Sequence, residues 1–114
     1  SQTQWSPLSV KINSILNAIN PRAWTRIKAN LGTRDPEHTM GGWHSDAKIG
    51  TSSTNLTTAI FYMNTNNGYT LLETEEKIES VENRLVVFPC DMLHTGVSQT
   101  DTKIRVTLNL NFFI

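Results

Sequence analysis

The final stretch of the chain alternates between apolar and polar side chains, and this pattern restricts the fold more than any other feature. Between Lys103 and Ile114, every second residue is apolar, namely Ile104, Val106, Leu108 and Leu110. The residues between them are polar, namely Arg105, Thr107 and Asn109. A period of two is typical of a β-strand that buries one face. We therefore predict a long strand that closes a β-rich fold.

Shorter segments of similar character precede this strand. They are residues 23–31, 40–46, 57–64, 69–74, 84–89 and 92–97, and with the acidic hairpin at 73–82 and the last strand the count is about eight. A short helix is the alternative for 23–31, and the pair Asn67-Gly68 predicts a hairpin turn. Short strands at even spacing, separated by polar turns, predict a mainly β fold, either a double-sheet jelly roll or a barrel.

A helix is predicted before the strands. Ser6-Pro7 has the character of an N-cap followed by proline at the first helical position. Apolar residues then recur at helical spacing: Leu8, Ile12, Ile15, Leu16 and Ile19. The chain has 114 residues, so we predict one domain, residues 1–114, with a helix at about 7–19 packed outside a barrel at about 23–114.

Composition narrows the partners and the compartment. Ten basic and ten acidic residues give zero net charge and no basic face, so duplex nucleic acid is not an expected partner. The single Cys90 cannot form an internal disulfide, which favours a reducing, cytoplasmic compartment. There is no signal-peptide pattern and no apolar run long enough to span a bilayer, so no membrane partner is expected.

The stretch that contains His44 and Asp46 is a candidate metal site. On an extended backbone, residues two apart point to the same side, so one imidazole and one carboxylate would reach a common point. His94, at the end of a later strand, is the candidate third ligand. Two histidines and one carboxylate, with open positions opposite, form the ligand set of non-haem Fe(II) oxygenases.

Arg105 lies on the polar face of the closing strand. If that face points into the fold, the guanidinium needs an anion, because an unpaired buried cation is very costly. The alternative is that Arg105 faces water on an outer sheet surface.

The order of these features resembles the Fe(II)/2-oxoglutarate-dependent dioxygenase superfamily, and in particular small prolyl-4-hydroxylase-like domains. The order is His-x-Asp, a strand with Tyr-x-Asn, a turn with Gly-x-Thr, a strand ending Phe-Pro, a His and then Arg-x-Thr. The resemblance covers about residues 23–114. One departure is that the family often has Gly-Gly-Glu-Thr where this chain reads Asn67-Gly68-Tyr69-Thr70.

The resemblance implies a double-stranded β-helix (jelly roll) and an assignment for each site residue. The metal triad, which is also catalytic, falls on His44, Asp46 and His94, and the cosubstrate contacts fall on Arg105, Thr107, Tyr62 and Asn30. The implied cofactors are Fe(II), 2-oxoglutarate and O₂. The compact form suits a viral or bacterial member.

The implied activity is hydroxylation of an unidentified substrate, a prolyl or other peptidyl residue or a small molecule. Residues 47–56 form a polar loop beside the site and are the candidate lid. The alternative function is a cupin-like module that binds a metal or small ligand without catalysis.

Overall fold

The computed structural model describes residues 14–15, 17–19, 23–46 and 56–113, and this part of the chain is mainly β. Its seven strands are β1 (Ala23–Thr33), β2 (Leu56–Tyr62), β3 (Tyr69–Leu72), β4 (Lys77–Glu79), β5 (Leu85–Pro89), β6 (His94–Val97) and β7 (Ile104–Phe113). They form two antiparallel sheets, one in the order β1-β7-β2-β5 and the other in the order β4-β3-β6. This arrangement fits a jelly roll.

The alternation in β7 has the predicted effect on burial. Leu108 and Leu110 are buried on one face, while Arg105 and Thr107 line a cavity on the other. β1 pairs with β7 along its length, and the strand prediction for 23–31 is confirmed over the helical alternative. Directly opposite residues in an antiparallel pair share a face. The residues of β1 that pair with the cavity-facing residues of β7 therefore also face the cavity.

The main apolar core lies on the outer face of the first sheet, away from the cavity. Ala59, Phe61, Leu108, Leu110 and Phe112 form it together with Ile15, and Ile19 packs against it. Ile15 and Ile19 belong to the five described helical residues, 14–15 and 17–19. Residues 7–13 and 16 of the predicted helix lie outside the described residues. No helix in the described part of the chain is long and apolar enough to cross a membrane.

A second, smaller core joins the two sheets. Ile60, Tyr62 and Phe88 from the first sheet pack with Leu72 of β3. The residues from the first sheet lie on the faces of β2 and β5 that point inward. The inward positions of β1 and β7 are polar instead, so the two sheets leave a cavity between them on that side.

Two predictions about the connections were wrong. Residues 40–46 do not form a strand, and only isolated bridges pair Met40 with Val97 and His44 with His94. The Asn67-Gly68 pair does not form a hairpin, because β2 and β3 belong to different sheets and the connection crosses between them. Local turn chemistry was recognised correctly, since Gly68 N donates to Asn66 Oδ1 at 2.9 Å, but such a turn does not specify which strands pair.

Two leucines on the outer face of the first sheet, one covered and one exposed, predict contrasting effects of truncation. Leu110 is fully buried in the outer core, whereas Leu31 on the edge strand is 65% exposed. We expect Leu110→Ala to lower the free energy of unfolding by about 3 kcal/mol, through lost burial and a residual cavity. The control Leu31→Ala should change it by less than about 0.5 kcal/mol. Urea unfolding of both variants measures this, and equal losses would show that the core is placed incorrectly.

Candidate metal centre

Backbone pairing brings His44 and His94 together. His44 N donates to His94 O at 3.1 Å, and His94 N donates to His44 O at 2.9 Å. Residues that exchange both hydrogen bonds in an antiparallel pair lie directly opposite, with side chains on the same face. The two imidazole ring centroids are accordingly 4.4 Å apart.

Both imidazoles are held in the tautomer that suits a metal ligand. Nδ1 of His44 lies 3.0 Å from the carbonyl oxygen of Gly42, and Nδ1 of His94 lies 3.1 Å from that of Met92. A carbonyl oxygen can only accept, so Nδ1 carries the proton in each ring, and the neutral form of each imidazole has its lone pair on Nε2. The Nε2 atom of His94 is buried and has no hydrogen-bond partner.

Asp46 is placed by contacts from three directions. Its backbone N–H donates to Cys90 O at 3.0 Å. Its Oδ2 accepts from Thr58 Oγ1 at 2.9 Å and from Asn111 Nδ2 at 3.0 Å. Its Oδ1 lies 3.8 Å from the unpartnered Nε2 of His94. One carboxylate oxygen is thus fixed by the protein, and the other is directed towards the histidines.

The surroundings of Asp46 favour its charged form. Burial acts to raise the pKa of the carboxyl, but the hydrogen bonds from Asn111 and Thr58 and the nearby His94 outweigh it, so the pKa is lowered. Asp46 is therefore ionised at neutral pH. Its contribution to stability is present above the ordinary carboxyl pKa and is lost as the pH falls through the lowered value.

These three side chains could hold a metal ion. One ligand atom from each of His44, Asp46 and His94 lies within 4.8 Å of the others. A metal would supply the partner that His94 Nε2 lacks, and each ligand already has the outer hydrogen bond that orients such ligands. Two imidazole nitrogens and one carboxylate suit Fe(II) among the divalent ions.

Arg105 lies in the same cavity as a cation without an anionic partner. Its Nε donates to Ser80 Oγ at 3.0 Å, and its Nη2 lies 3.4 Å from Thr70 Oγ1. Among the described residues, no carboxylate forms an ion pair with it. Burial lowers the pKa of the guanidinium, only partly opposed by Tyr62. The sequence alternative in which Arg105 faces water on an outer surface is wrong.

Thr70 connects Arg105 to Tyr62. The hydroxyl of the fully buried Tyr62 donates to Thr70 Oγ1 at 2.8 Å, so Tyr62 is directed at Thr70 and does not line the cavity itself. Thr70 Oγ1 accepts from both Tyr62 and Arg105, which uses both of its lone pairs. Its own proton is then free to be donated into the cavity.

The cavity that contains the triad and Arg105 has a volume of about 490 Å³. This is within the range of small-ligand sites. Asn30 and Thr107, both predicted cosubstrate contacts, line it from β1 and β7 and face each other in the register. Seven residues were predicted for the site, and the structure places six of them on this cavity and Tyr62 behind it. Residues 47–55 of the candidate lid lie outside the described residues, and Leu56, its last residue, begins β2.

The sequence reasoning missed the residues that support the ligands. Thr58 and Asn111 could have been predicted from the alternation of their strands. Asn111 follows Thr107 and Asn109 at a spacing of two on β7, and Thr58 lies on the inward-facing side of β2. Ser80 gave no signal, since it follows a short strand in a turn. His38 is exposed, and its Nδ1 lies 2.8 Å from Ser98 O.

Known proteins resemble this chain in structure rather than in sequence. No protein-family model and no curated protein sequence matches it. A cupin protein from Bacteroides fragilis superposes with a TM-score of 0.57 at 13% identity, over 76% of this chain and 64% of that one. The cupin-type fold is thereby shown.

Two further solved structures agree with that fold. A protein from Neisseria meningitidis matches with a TM-score of 0.52 at 12% identity, over 96% of this chain and 99% of its own. A prolyl-4-hydroxylase from Pseudomonas putida matches with a TM-score of 0.51 at 16% identity, over 93% of this chain and 62% of that one. The chain thus spans a little under two thirds of the cupin and of the hydroxylase.

The support that Asn111 gives to Asp46 can be tested by metal binding. We expect Asn111→Ala to weaken Zn(II) affinity by about tenfold or more, because outer hydrogen bonds orient the ligating carboxylate. The control Asn67→Ala removes an exposed amide bonded to Thr100 and should leave the affinity unchanged. A competition titration with a chelating dye gives both values, and equal affinities would show that Asn111 does not orient Asp46.

Gly68 predicts a steric effect beside Arg105. A Cβ at Gly68 would lie 2.8 Å from Asn66 Oδ1, 2.9 Å from Arg105 Cδ and 3.0 Å from Val97 O. We expect Gly68→Ala to lower the free energy of unfolding by about 1–3 kcal/mol, as overpacking does. Gly42→Ala is the control, because a Cβ there meets nothing within 4 Å. Thermal and urea unfolding measure both, and a neutral Gly68→Ala would contradict the close packing of Arg105.

Proposed function

We propose that this chain is an Fe(II)- and 2-oxoglutarate-dependent dioxygenase domain with a double-stranded β-helix fold, which hydroxylates a peptide or small-molecule substrate. The observation that carries the proposal is the combination in one cavity of a His-Asp-His triad and an arginine without an anionic partner. The triad needs a metal, and Arg105 needs an anion. A metal-chelating 2-oxo acid with a distant carboxylate meets both needs.

In this proposal His44, Asp46 and His94 hold Fe(II). The Nδ1 hydrogen bonds to Gly42 and Met92 keep the imidazoles oriented, and Thr58 and Asn111 do the same for the carboxylate. When bound, the iron supplies O₂ activation coupled to the oxidative decarboxylation of 2-oxoglutarate, which gives succinate, CO₂ and a hydroxylated product. The three protein ligands leave the remaining positions for the cosubstrate and O₂.

Arg105 and Thr70 bind the distal carboxylate of 2-oxoglutarate in this proposal. Arginine is always charged and presents a planar fork that suits a carboxylate. The free proton of Thr70 adds a second donor, and Tyr62 holds Thr70 in place from behind. Thr107 and Asn30 line the wall beside them. Prolyl hydroxylation is one form of the activity, supported by the fold shared with the Pseudomonas putida prolyl-4-hydroxylase.

The second candidate is a cupin-like module that binds a metal or small ligand without turnover. The fold shared with the Bacteroides fragilis cupin protein favours it, and a metal-binding triad suits a binding module equally well. The two functions differ in whether 2-oxoglutarate is consumed.

Anaerobic spectroscopy tests cosubstrate binding. Adding 2-oxoglutarate to the Fe(II)-loaded protein should produce the visible metal-to-ligand charge-transfer absorption of a chelated 2-oxo acid. His44→Ala should abolish it, whereas His38→Ala, which removes an exposed imidazole elsewhere, should keep it. Arg105→Ala should weaken 2-oxoglutarate binding by at least tenfold, since a charge-assisted contact is lost. The matched control is Arg34→Ala, an exposed arginine away from the cavity.

Exposure to O₂ then separates the enzyme from the binding module. Slow formation of succinate that depends on Fe(II), His44 and Arg105 supports the dioxygenase. An intact absorption band without succinate, even after substrate screening, supports the module. Unchanged 2-oxoglutarate affinity in Arg105→Ala would remove the cosubstrate assignment altogether.

A further inference from the structure

The edge strand β1 is polar on its inner side and apolar on its outer side. Arg26, Lys28 and Asn30 line the cavity at its exposed edge, and Ile27 and Leu31, which alternate with them, are exposed on the opposite face. A strand that only covered a core would present the reverse pattern. The cationic side chains of β1 are therefore part of the cavity wall that carries the candidate metal centre.

The register places these two cations at the metal end of that wall. Arg26 lies opposite Asn111, which bonds to Asp46, and Lys28 lies opposite Asn109. Asn109 and Asn111 are four and six residues beyond Arg105 on β7. At about 3.3 Å per residue, their backbone positions are about 13 and 20 Å from that of Arg105. Arg26 and Lys28 therefore start from backbone positions well removed from that of Arg105, and they form a second cationic region at the exposed edge of the cavity wall.

The charge of the cavity remains positive after the proposed cofactors are included. Among the described residues, three cations line it, Arg26, Lys28 and Arg105, and Asp46 is the only carboxylate. A divalent metal and the dianion of 2-oxoglutarate cancel each other, so an excess of two positive charges persists. No salt bridge in the described part of the chain involves Arg26 or Lys28. A cavity lined by charge of one sign concentrates ligands of the opposite sign.

We propose that Arg26 and Lys28 bind an oxyanion, carboxylate or phosphate, on the primary substrate. The proposal rests on the proposed function for the identity of the site, and it specifies the class of substrate. Arginine supplies a planar fork and lysine a compact point charge, a combination that suits both oxyanions. Because Arg26 lies across from the residue that holds Asp46, the anionic group binds close to the carbon that is hydroxylated.

The test uses small oxyanions and the metal-free protein, so it does not depend on turnover. Methyl phosphate and acetate are titrated separately into ¹⁵N-labelled protein, and amide shifts are followed by NMR. We expect saturable shifts at residues 26–28 and 109–111, and the tighter of the two probes identifies the oxyanion. The double variant Arg26→Gln/Lys28→Gln should weaken this binding by at least tenfold, and each single variant by less. Lys103→Gln, an exposed cation outside the cavity, is the control.

A parallel titration separates this proposal from the proposed function. 2-Oxoglutarate should shift the amide of Gly96, which packs against Arg105, and Arg105→Gln should remove that effect. Failure of the Gly96 response alone overturns the cosubstrate assignment. The substrate proposal is overturned if neither probe shifts the residues near Arg26 and Lys28, or if the double variant binds as tightly as the unmodified protein. In that case the two cations serve only to protect a sheet edge.

Discussion

The reciprocal backbone hydrogen bonds between His44 and His94 are the constraint on which the site depends. The two residues are fifty positions apart; His94 begins β6 and is paired with β3, whereas His44 is joined to the sheet by an isolated bridge. A slip of one residue in this pairing would turn one imidazole to the outer side of the second sheet. Asp46 is then fixed relative to this pair by Cys90, Thr58 and Asn111, so the ligand geometry is built from backbone contacts first and side-chain contacts second.

The two faces of the first sheet have different roles: the outer face contributes to stability, and the inner face forms the candidate site. Their outer side buries Ala59, Phe61, Leu108 and Leu110, which supply the main apolar core. Their inner side, along β1 and β7, is polar and lines the cavity. An interior of unpartnered polar groups would be costly if it were closed. It is tolerated here because the cavity is open to solvent and ligands, and because the smaller cluster around Ile60 and Phe88 holds the two sheets together at its other side.

Most of the strands could be predicted from sequence, because strand formation depends on a local period. The alternation in β7 identified its two faces, but the triad was predicted from its ligand types and from a family resemblance, since residues 40–46 form no strand. Which strands pair could not be predicted in this way. The Asn67-Gly68 turn suggested a hairpin because turn propensity is local, whereas the crossing between sheets is decided by where Tyr62 and Leu72 bury their side chains. The role of Ser80 could not be predicted from sequence either. Its hydroxyl meets the guanidinium of Arg105 only once the chain has folded, because the two residues are distant in sequence.

The departure at Tyr69 from the resembling family's pattern is explained by the alternation of β3. Tyr69 points outward, where Lys77 Nζ lies 4.3 Å from its ring centroid and the His38 ring lies 5.8 Å away. Thr70 therefore points inward, where it meets Tyr62 and Arg105. Replacement of an acid by tyrosine at an outward position changes the surface of the second sheet and leaves the cavity intact. Among the described residues, the inner positions of β3 bring only the hydroxyl of Thr70 to Arg105, and no carboxylate pairs with its guanidinium.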